Sequence, residues 1–535
     1  MIILLLALCA SAVGARARQV MGGGEVEGVK TIDVIASRFQ FEPAVITDAE
    51  GDRGRLRLHS ADRTHGFAIK ALRVKPPGAA ASPAMSAMIA AIQVSPQASE
   101  LKDRPALVDR LRGTPRGYYR FVARPFTQAV CAMFHDARSD FPDVNLHGDA
   151  HLEQYAVTSV GRGLTDFDES ARGPAFIDLV RFGVSLELAA REKDWPGEGR
   201  RAFGAFLGGY REALKNPDIN GSSPLVVTRA SDGFSRDHGL ALRRADAMID
   251  ADPVPASEIE ADWREYVRRM LADWAGMPVA FFNIKKAGRL TLGIGSASDE
   301  KYLFRIEGWS TEADDDQILE AKLVRPLSGV DCVRTKQGPE RVPLGMALIA
   351  YAPFRFSGLL THRGRTFWVH GWTDDYVELS VDSWIDSPQD LRQVAYDVGV
   401  QLGLAHPKEV AADDCRPDLR GILLKATRRN EDRIRRTIDE LAEATVEAWM
   451  AFREAAAPKR SSKAVRPHRS EQEQEHKSKG WKGDRGRPSD AVSRFFSQMP
   501  RLPDYVVRML PPWTQRDLIA AGGACAPRQV EGCDV

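Results

Sequence analysis

Apolar and polar side chains alternate over three short runs early in the chain, Ile32 to Ala36, Arg55 to His59 and Gly66 to Ile69. A period of two puts alternate side chains on opposite faces of a strand, so these runs predict a small β segment over residues 31–75. Alternation returns in mid-chain. Gly288 to Ser296 ends in a glycine turn, Lys301 to Glu307 reads as the returning strand, and Gln317 to Val324 as a third. Helical spacing governs elsewhere. Ile177, Val180, Val184 and Leu188 share one face of a helix over 174–192, with Gly173-Pro174 as its start. Leu391 to Ala405 is amphipathic and ends at His406-Pro407, where His406 reads as a partner of the helix dipole. Asn430 is expected to cap a longer helix with Ile434, Ile438, Leu441, Thr445, Trp449 and Phe452 in one stripe. Strands and helices together predict an α+β fold. Residues 76–100 are rich in Ala, Ser, Pro and Met and read as a linker or loose helix. The main domain is expected over 101–456, a disordered basic linker over 457–490 and a tail over 491–535.

Composition adds limits. With 535 residues, 43% of them hydrophobic, the chain can bury a sizeable core, and its length allows roughly three to four domains of about 150 residues. The net charge of +1 gives no global field for nucleic acid. The basic linker carries only Trp481 as a stacking group, so it adds no strong nucleic-acid signal. The cysteines at 9, 131, 332, 415, 525 and 533 form no C-x-x-C pair, so neither a zinc site nor a disulfide framework is expected. Ile2 to Val13 is apolar, and Val13-Gly14-Ala15 suits cleavage. That reads as a signal peptide over 1–20 and an exported or periplasmic protein. The n-region lacks Lys and Arg, and a start at Met21 would instead leave the protein cytoplasmic. The run is too short to span a bilayer, and no other long apolar run occurs, so no transmembrane segment is expected.

The chemistry concentrates in His147-Gly148-Asp149-Ala150-His151-Leu152-Glu153-Gln154-Tyr155 and Thr165-Asp166-Phe167-Asp168-Glu169. Asp149 and Asp166 stand seventeen positions apart, room for a loop, a strand and a turn. Phosphoryl transfer needs such a pair, one carboxylate to orient the attacking hydroxyl and another to hold Mg²⁺ on the phosphates. The first stretch resembles the catalytic loop of aminoglycoside-phosphotransferase-like kinases, H-G-D-x-H-x-x-N. From about Arg112 to Arg191 the chain resembles domain-of-unknown-function family 2252, a kinase-like bacterial group. The matching residues are Arg116-Gly117-Tyr118-Tyr119-Arg120, His147 to Gln154, Asp166 to Glu169, Gly173-Pro174, Asp178 and Arg181. The family has Asn where Gln154 stands. Asp178 and Arg181, three apart on a helix, can equally be a surface ion pair.

The resemblance implies Asp149 as the catalytic carboxylate, flanked by His147 and His151. It implies Asp166, with Asp168 and Gln154, as metal ligands. Gly293, Gly295 and Ser296 would form a phosphate-approaching turn, and Lys322 on the following strand the phosphate-contacting lysine, with Lys301 as its competitor. In ordinary kinases the glycine turn and lysine come first. Here they follow the two aspartates, so the implied architecture is a two-lobed kinase-like fold with permuted motif order. The implied cofactors are ATP and Mg²⁺. The expected function is phosphoryl transfer from Mg-ATP to a hydroxyl on an unknown small-molecule or protein acceptor. Two alternatives stand beside it: a non-catalytic pseudokinase that binds nucleotide or a partner, and a metal-dependent hydrolase built on His147, Asp149 and His151. Near the N-terminus, Phe39 to Pro43 with Asp62 to Phe67 resembles the first half of a cupredoxin-like domain, in which His65 would be a copper ligand. No Cys-His-Met loop follows, and a blue site needs two His and a Cys, so copper is not expected.

Overall fold

A computed structural model describes the strands at 2–5, 29–37, 40–42, 45–48 and 53–60, and residues 83–271, 277–290, 300–334, 338–408 and 418–456. The chain divides into two compact units, one up to Ser82 and one from Pro83. In the first, β1 (Ile2–Leu5) pairs with β4 (Val45–Asp48). β2 (Val29–Ser37) lies between β3 (Gln40–Glu42), antiparallel, and β5 (Arg53–Ser60), parallel. Two of the three expected strands thus form, as β2 and β5. The third, Gly66 to Ile69, and His65 lie outside the described residues, as does the 6–20 part of the expected signal peptide. Residues 457–490 and 491–535 lie outside them too.

The second unit mixes helices and sheets. Its chain runs through α1 (Pro83–Ile92), α2 (Pro105–Gly113), α3 (Pro115–Phe121), α4 (Ala123–Met133), β6 (Asp143–Leu146), β7 (Tyr155–Thr158), β8 (Arg162–Leu164), β9 (Ala171–Pro174) and α5 (Phe176–Glu192). It continues with α6 (Glu198–Lys215), α7 (Leu225–Asp232), α8 (His238–Ile249), α9 (Glu260–Leu271), β10 (Ile284–Arg289), β11 (Lys301–Ile306) and β12 (Gln317–Leu323). Then come α10 (Arg341–Ile349), β13 (Gly358–His362), β14 (Arg365–Gly371), β15 (Tyr376–Glu378), α11 (Val381–Trp384), α12 (Pro388–Ala405), α13 (Leu419–Arg429) and α14 (Glu431–Ala455). Among the described residues, no helix is long and apolar enough to cross a membrane.

Two cores organise this unit. The helical core centres on α5, whose Ile177, Val180, Val184 and Leu188 are buried, and which packs on α6 and α14. Removing one such side chain would cost about 2–5 kcal/mol. Helices α6 and α12 approach closely because glycines leave room: a Cβ on Gly399 would lie 2.1 Å from the Phe206 carbonyl oxygen. The second core belongs to an antiparallel five-stranded sheet of order β10-β11-β12-β14-β13. Phe304, Leu319 and Phe367 cover one face with Trp263 and Tyr266 of α9. Leu303 and Ile318 cover the other with Leu242 and Ile249 of α8.

The structure corrects several expectations. Residues 83–92 are not a free linker. Helix α1 packs on α14, and the Tyr118 hydroxyl donates to the Ile92 carbonyl at 2.8 Å. Gly173 and Pro174 lie in β9, paired with β6, and the helix begins at Phe176. The Asn430 side chain caps no amide of α14. It donates to Asp140 and the Ala426 carbonyl, both at 3.1 Å, and Glu431 and Asp432 supply the first-turn charge. A disulfide, not expected from spacing, joins Cys131 of α4 to Cys332 beyond β12, with Cα atoms 5.7 Å apart. Beside it, Gln128 and Asp331 exchange two 2.8 Å hydrogen bonds.

Candidate functional site

Strand β6 delivers the chain into the His147–Gln154 loop. Gly148 has φ +81°, and a Cβ there would lie 2.0 Å from the Glu169 carbonyl oxygen, so the turn needs glycine. Asp178, in the first turn of α5 and fully buried, accepts the amides of His147 and Gly148, both at 2.8 Å. His406, also fully buried, places Nε2 at 3.2 Å from Asp178 Oδ2 and Nδ1 at 2.8 Å from the Tyr210 hydroxyl. It therefore helps anchor the loop as well as ending α12. The family-like Arg116 braces the loop from outside, bonded to Glu153 and Glu192 at 2.6 Å each.

His147 is expected among the catalytic residues, but both its ring nitrogens are committed. The Asp149 amide donates to Nδ1 at 3.3 Å, so Nε2 carries the proton and donates to the Thr165 carbonyl at 2.8 Å. The ring is a brace between the two acidic stretches. It has no lone pair left for a metal, which removes the basis of an H-x-D-x-H metal site. Asp149 itself faces the cleft, with Oδ1 accepting from Arg181 Nε at 2.8 Å and Nη2 2.6 Å away as an ion pair. Burial raises the Asp149 carboxyl above its usual range despite the pull of Arg181. His151 Nε2 lies 3.7 Å from Asp149 Oδ2, and burial holds its ring well below the ordinary histidine value, hence neutral. Asp178 and Arg181 are therefore no surface pair. Both are buried, and each serves the loop.

Asp166 follows β8 with φ +60°, a left-handed conformation that turns its side chain into the cleft. Thr165 holds the turn, its amide donating to the Gln154 carbonyl at 2.8 Å. Lys322 Nζ lies 2.6 Å from Asp166 Oδ1 and also contacts Asp168 Oδ2. Burial opposes ionisation of Asp166, yet Lys322 wins and holds that carboxyl well below the usual range. Burial and then the neighbouring Asp166 charge push Asp168 up to about 7, against the pull of Lys322. Gln154 Nε2 donates to Asp166 Oδ2 at 3.3 Å.

The sheet supplies the opposite wall. Lys322 on β12 is the register partner of Lys301 on β11, and both line a cleft of about 890 Å³ with Asp149, His151, Gln154, Asp166 and Asp168. Asp149, His151, Gln154, Asp166, Asp168 and Lys322 thus meet in one cleft. Gly293, Gly295 and Ser296 lie outside the described residues, between β10 and β11. Sequence reasoning missed Glu320 and His370. Glu320 accepts the Trp372 indole N–H at 2.9 Å and stands 3.9 Å from both Lys301 Nζ and His370 Nε2. A clue existed: Glu320 and Lys322 are two apart on a strand and so share its face.

Asp166 and Asp168 offer hard oxygen donors side by side, the donor type Mg²⁺ takes, with Lys322 as the cation a metal would displace. Among the described residues, no group of three or more His, Cys, Asp or Glu could hold a metal ion. Mg²⁺ commonly uses one or two carboxylates plus substrate phosphates, so two protein carboxylates match that habit.

Residues 105–234 match a family model described as uncharacterized protein conserved in bacteria (DUF2252). The match spans the Asp149 loop, Asp166 and α5, while Lys322 and its sheet lie beyond it. No curated protein and no solved structure matches the chain.

Proposed function

We propose that this cleft transfers a phosphoryl group from Mg-ATP to a hydroxyl-bearing acceptor, on a kinase-like scaffold of permuted motif order. One observation carries the reading: Lys322 reaches Asp166 at 2.6 Å from a strand 156 positions later in the chain. A lysine and a metal-type carboxylate that meet in the cleft of Asp149 are what phosphoryl transfer requires. The five-stranded sheet before β15 and the helices around the loop give the reading two walls.

In this reading Asp149 orients the acceptor hydroxyl and takes its proton. The acceptor oxygen bonds to the γ-phosphorus as the bond to the β–γ bridging oxygen breaks, and ADP leaves. Lys322 and Lys301 offset phosphate charge. Asp166 and Asp168 would hold Mg²⁺, which when bound screens the phosphates. His151, neutral and beside Oδ2, adds no second positive charge at the base. Preset positioning and charge are the main contributions such a site makes.

A second reading, nucleotide binding without chemistry, is favoured by Gln154. Its amide nitrogen, not its oxygen, is turned to Asp166. Calorimetry of ATP with and without Mg²⁺, joined to turnover assays, tests both. Wild type should bind ATP more tightly with Mg²⁺, and Asp166→Ala should lose that tightening. Asp149→Ala should keep binding and lose about 10²–10⁴-fold in turnover. Mg²⁺-independent binding in wild type rejects the metal assignment. Binding without turnover in wild type selects the second reading.

A further inference from the structure

The strongest unassigned feature is the guanidinium behind Asp149. Arg181 is fully buried on α5, one turn beyond Asp178, so one helix face holds both the backbone and the side chain of the loop. Nε donates to Asp149 Oδ1 at 2.8 Å, and Nη2 stands 2.6 Å from the same oxygen as an ion-pair contact. Nη2 also reaches the Tyr119 carbonyl at 3.2 Å, and the Tyr119 hydroxyl donates back to the Arg181 carbonyl at 2.5 Å. The guanidinium lies over the Tyr119 ring at 3.9 Å and near Phe126 at 5.0 Å. Nη1 has no partner. A buried cation with an unsatisfied donor is costly unless its charge has work elsewhere. A salt bridge for stability alone would more naturally be bidentate, one donor on each oxygen.

We propose that Arg181 is the positioning residue for Asp149, drawing Oδ1 into the interior and presenting Oδ2 to the cleft as the proton-accepting atom. Oδ1 accepts the Nε–H and lies against the Nη2 end of the same buried guanidinium, which covers its interior side. The acceptor hydroxyl must therefore approach Oδ2, past His151. Arg181 also supplies the positive charge that opposes the upward push of burial on the Asp149 carboxyl. The other groups facing Asp149 are His147, His151, Glu169 and Tyr119, and none of them is a fixed cation. The assignment of Oδ2 as proton acceptor rests on the phosphotransferase reading. The Arg181–Asp149 coupling does not.

The test follows the Asp149 carboxyl carbon by ¹³C NMR against pH in the full chain, with Asp149→Asn identifying the resonance. In Arg181→Met the midpoint should rise by about one to three pH units, and Arg181→Lys should restore most of the shift. An equal midpoint in all three proteins overturns the proposal. A residue that only packs would lower Tm and leave the midpoint in place. Should Arg181→Met not fold, Arg181→Gln removes the charge while keeping a donor and serves the same comparison. No nucleotide enters this experiment. Absent Mg-ATP binding in wild-type calorimetry would thus reject the phosphotransferase reading while the NMR result still decides the clamp.

Discussion

Asp149 and Lys322 face each other across one cleft but are held in opposite ways. Asp149 is gripped from behind, through Arg181 on its side chain and Asp178 on the preceding amides, by groups with no solvent exposure. Lys322 is held from the front, by Asp166 and Asp168, which share the cleft with it. A group fixed from behind keeps its place when a ligand enters. A group fixed by cleft carboxylates must exchange partners when a metal takes them. The helical wall is thus preset and the sheet wall exchangeable, and a preset base is what positioning demands.

The largest expected effect breaks the preset half. Asp178→Ala strips an acceptor from two buried amides and from His406, and each abandoned donor costs about 1–3 kcal/mol. Urea unfolding followed by tryptophan fluorescence should show a loss of about 3–5 kcal/mol. A loss near zero would mean the loop is not held from behind. The next effect sharpens the exchangeable half. Lys322→Met removes the internal cation, so Mn²⁺ alone should bind about tenfold tighter by calorimetry, as one close charge is worth about 1.4 kcal/mol or more in a partly buried site, while Mg-ATP binds more weakly. Unchanged Mn²⁺ affinity would show that lysine and metal do not compete. The smallest effect lies between the halves. Gln154→Asn shortens the side chain that donates to Asp166 and should raise ATP turnover a few-fold, and slower turnover would show the loop adapted to Gln.

The parts of this arrangement legible in the sequence are those written in local pattern. Alternation placed Lys301 and Lys322 on neighbouring strands, and the 3.6-residue spacing located α5, α12 and the stripe of α14. Asp149 stood out because glycine and histidine flank it in a short loop. What stayed hidden depends on distant partners. Asp178 and Arg181 look like a surface pair three residues apart, and only the fold shows both pointing inward to a loop some thirty residues earlier. Glu320 and His370 meet through sheet register, which a single strand does not encode. Helix α1 is Ala- and Met-rich with no strong polar face, so it read as a linker or loose helix, whereas it docks on α14.

The link between Cys131 and Cys332 has a topological meaning. It closes a hoop between cysteines with a sequence separation of 201, and Asp149, Gln154, Asp166, Asp168, Arg181 and Lys322 all ride on it. The acidic residues and Lys322 of the cleft are therefore carried on one closed circuit of chain, while Phe354, Trp368 and His370 line it from outside that circuit. A single backbone cut within the hoop leaves one covalent molecule, its two arms still tethered at the junction of α4 and the segment beyond β12. By chain entropy alone, such a large hoop disfavours the unfolded chain by about 5 kcal/mol.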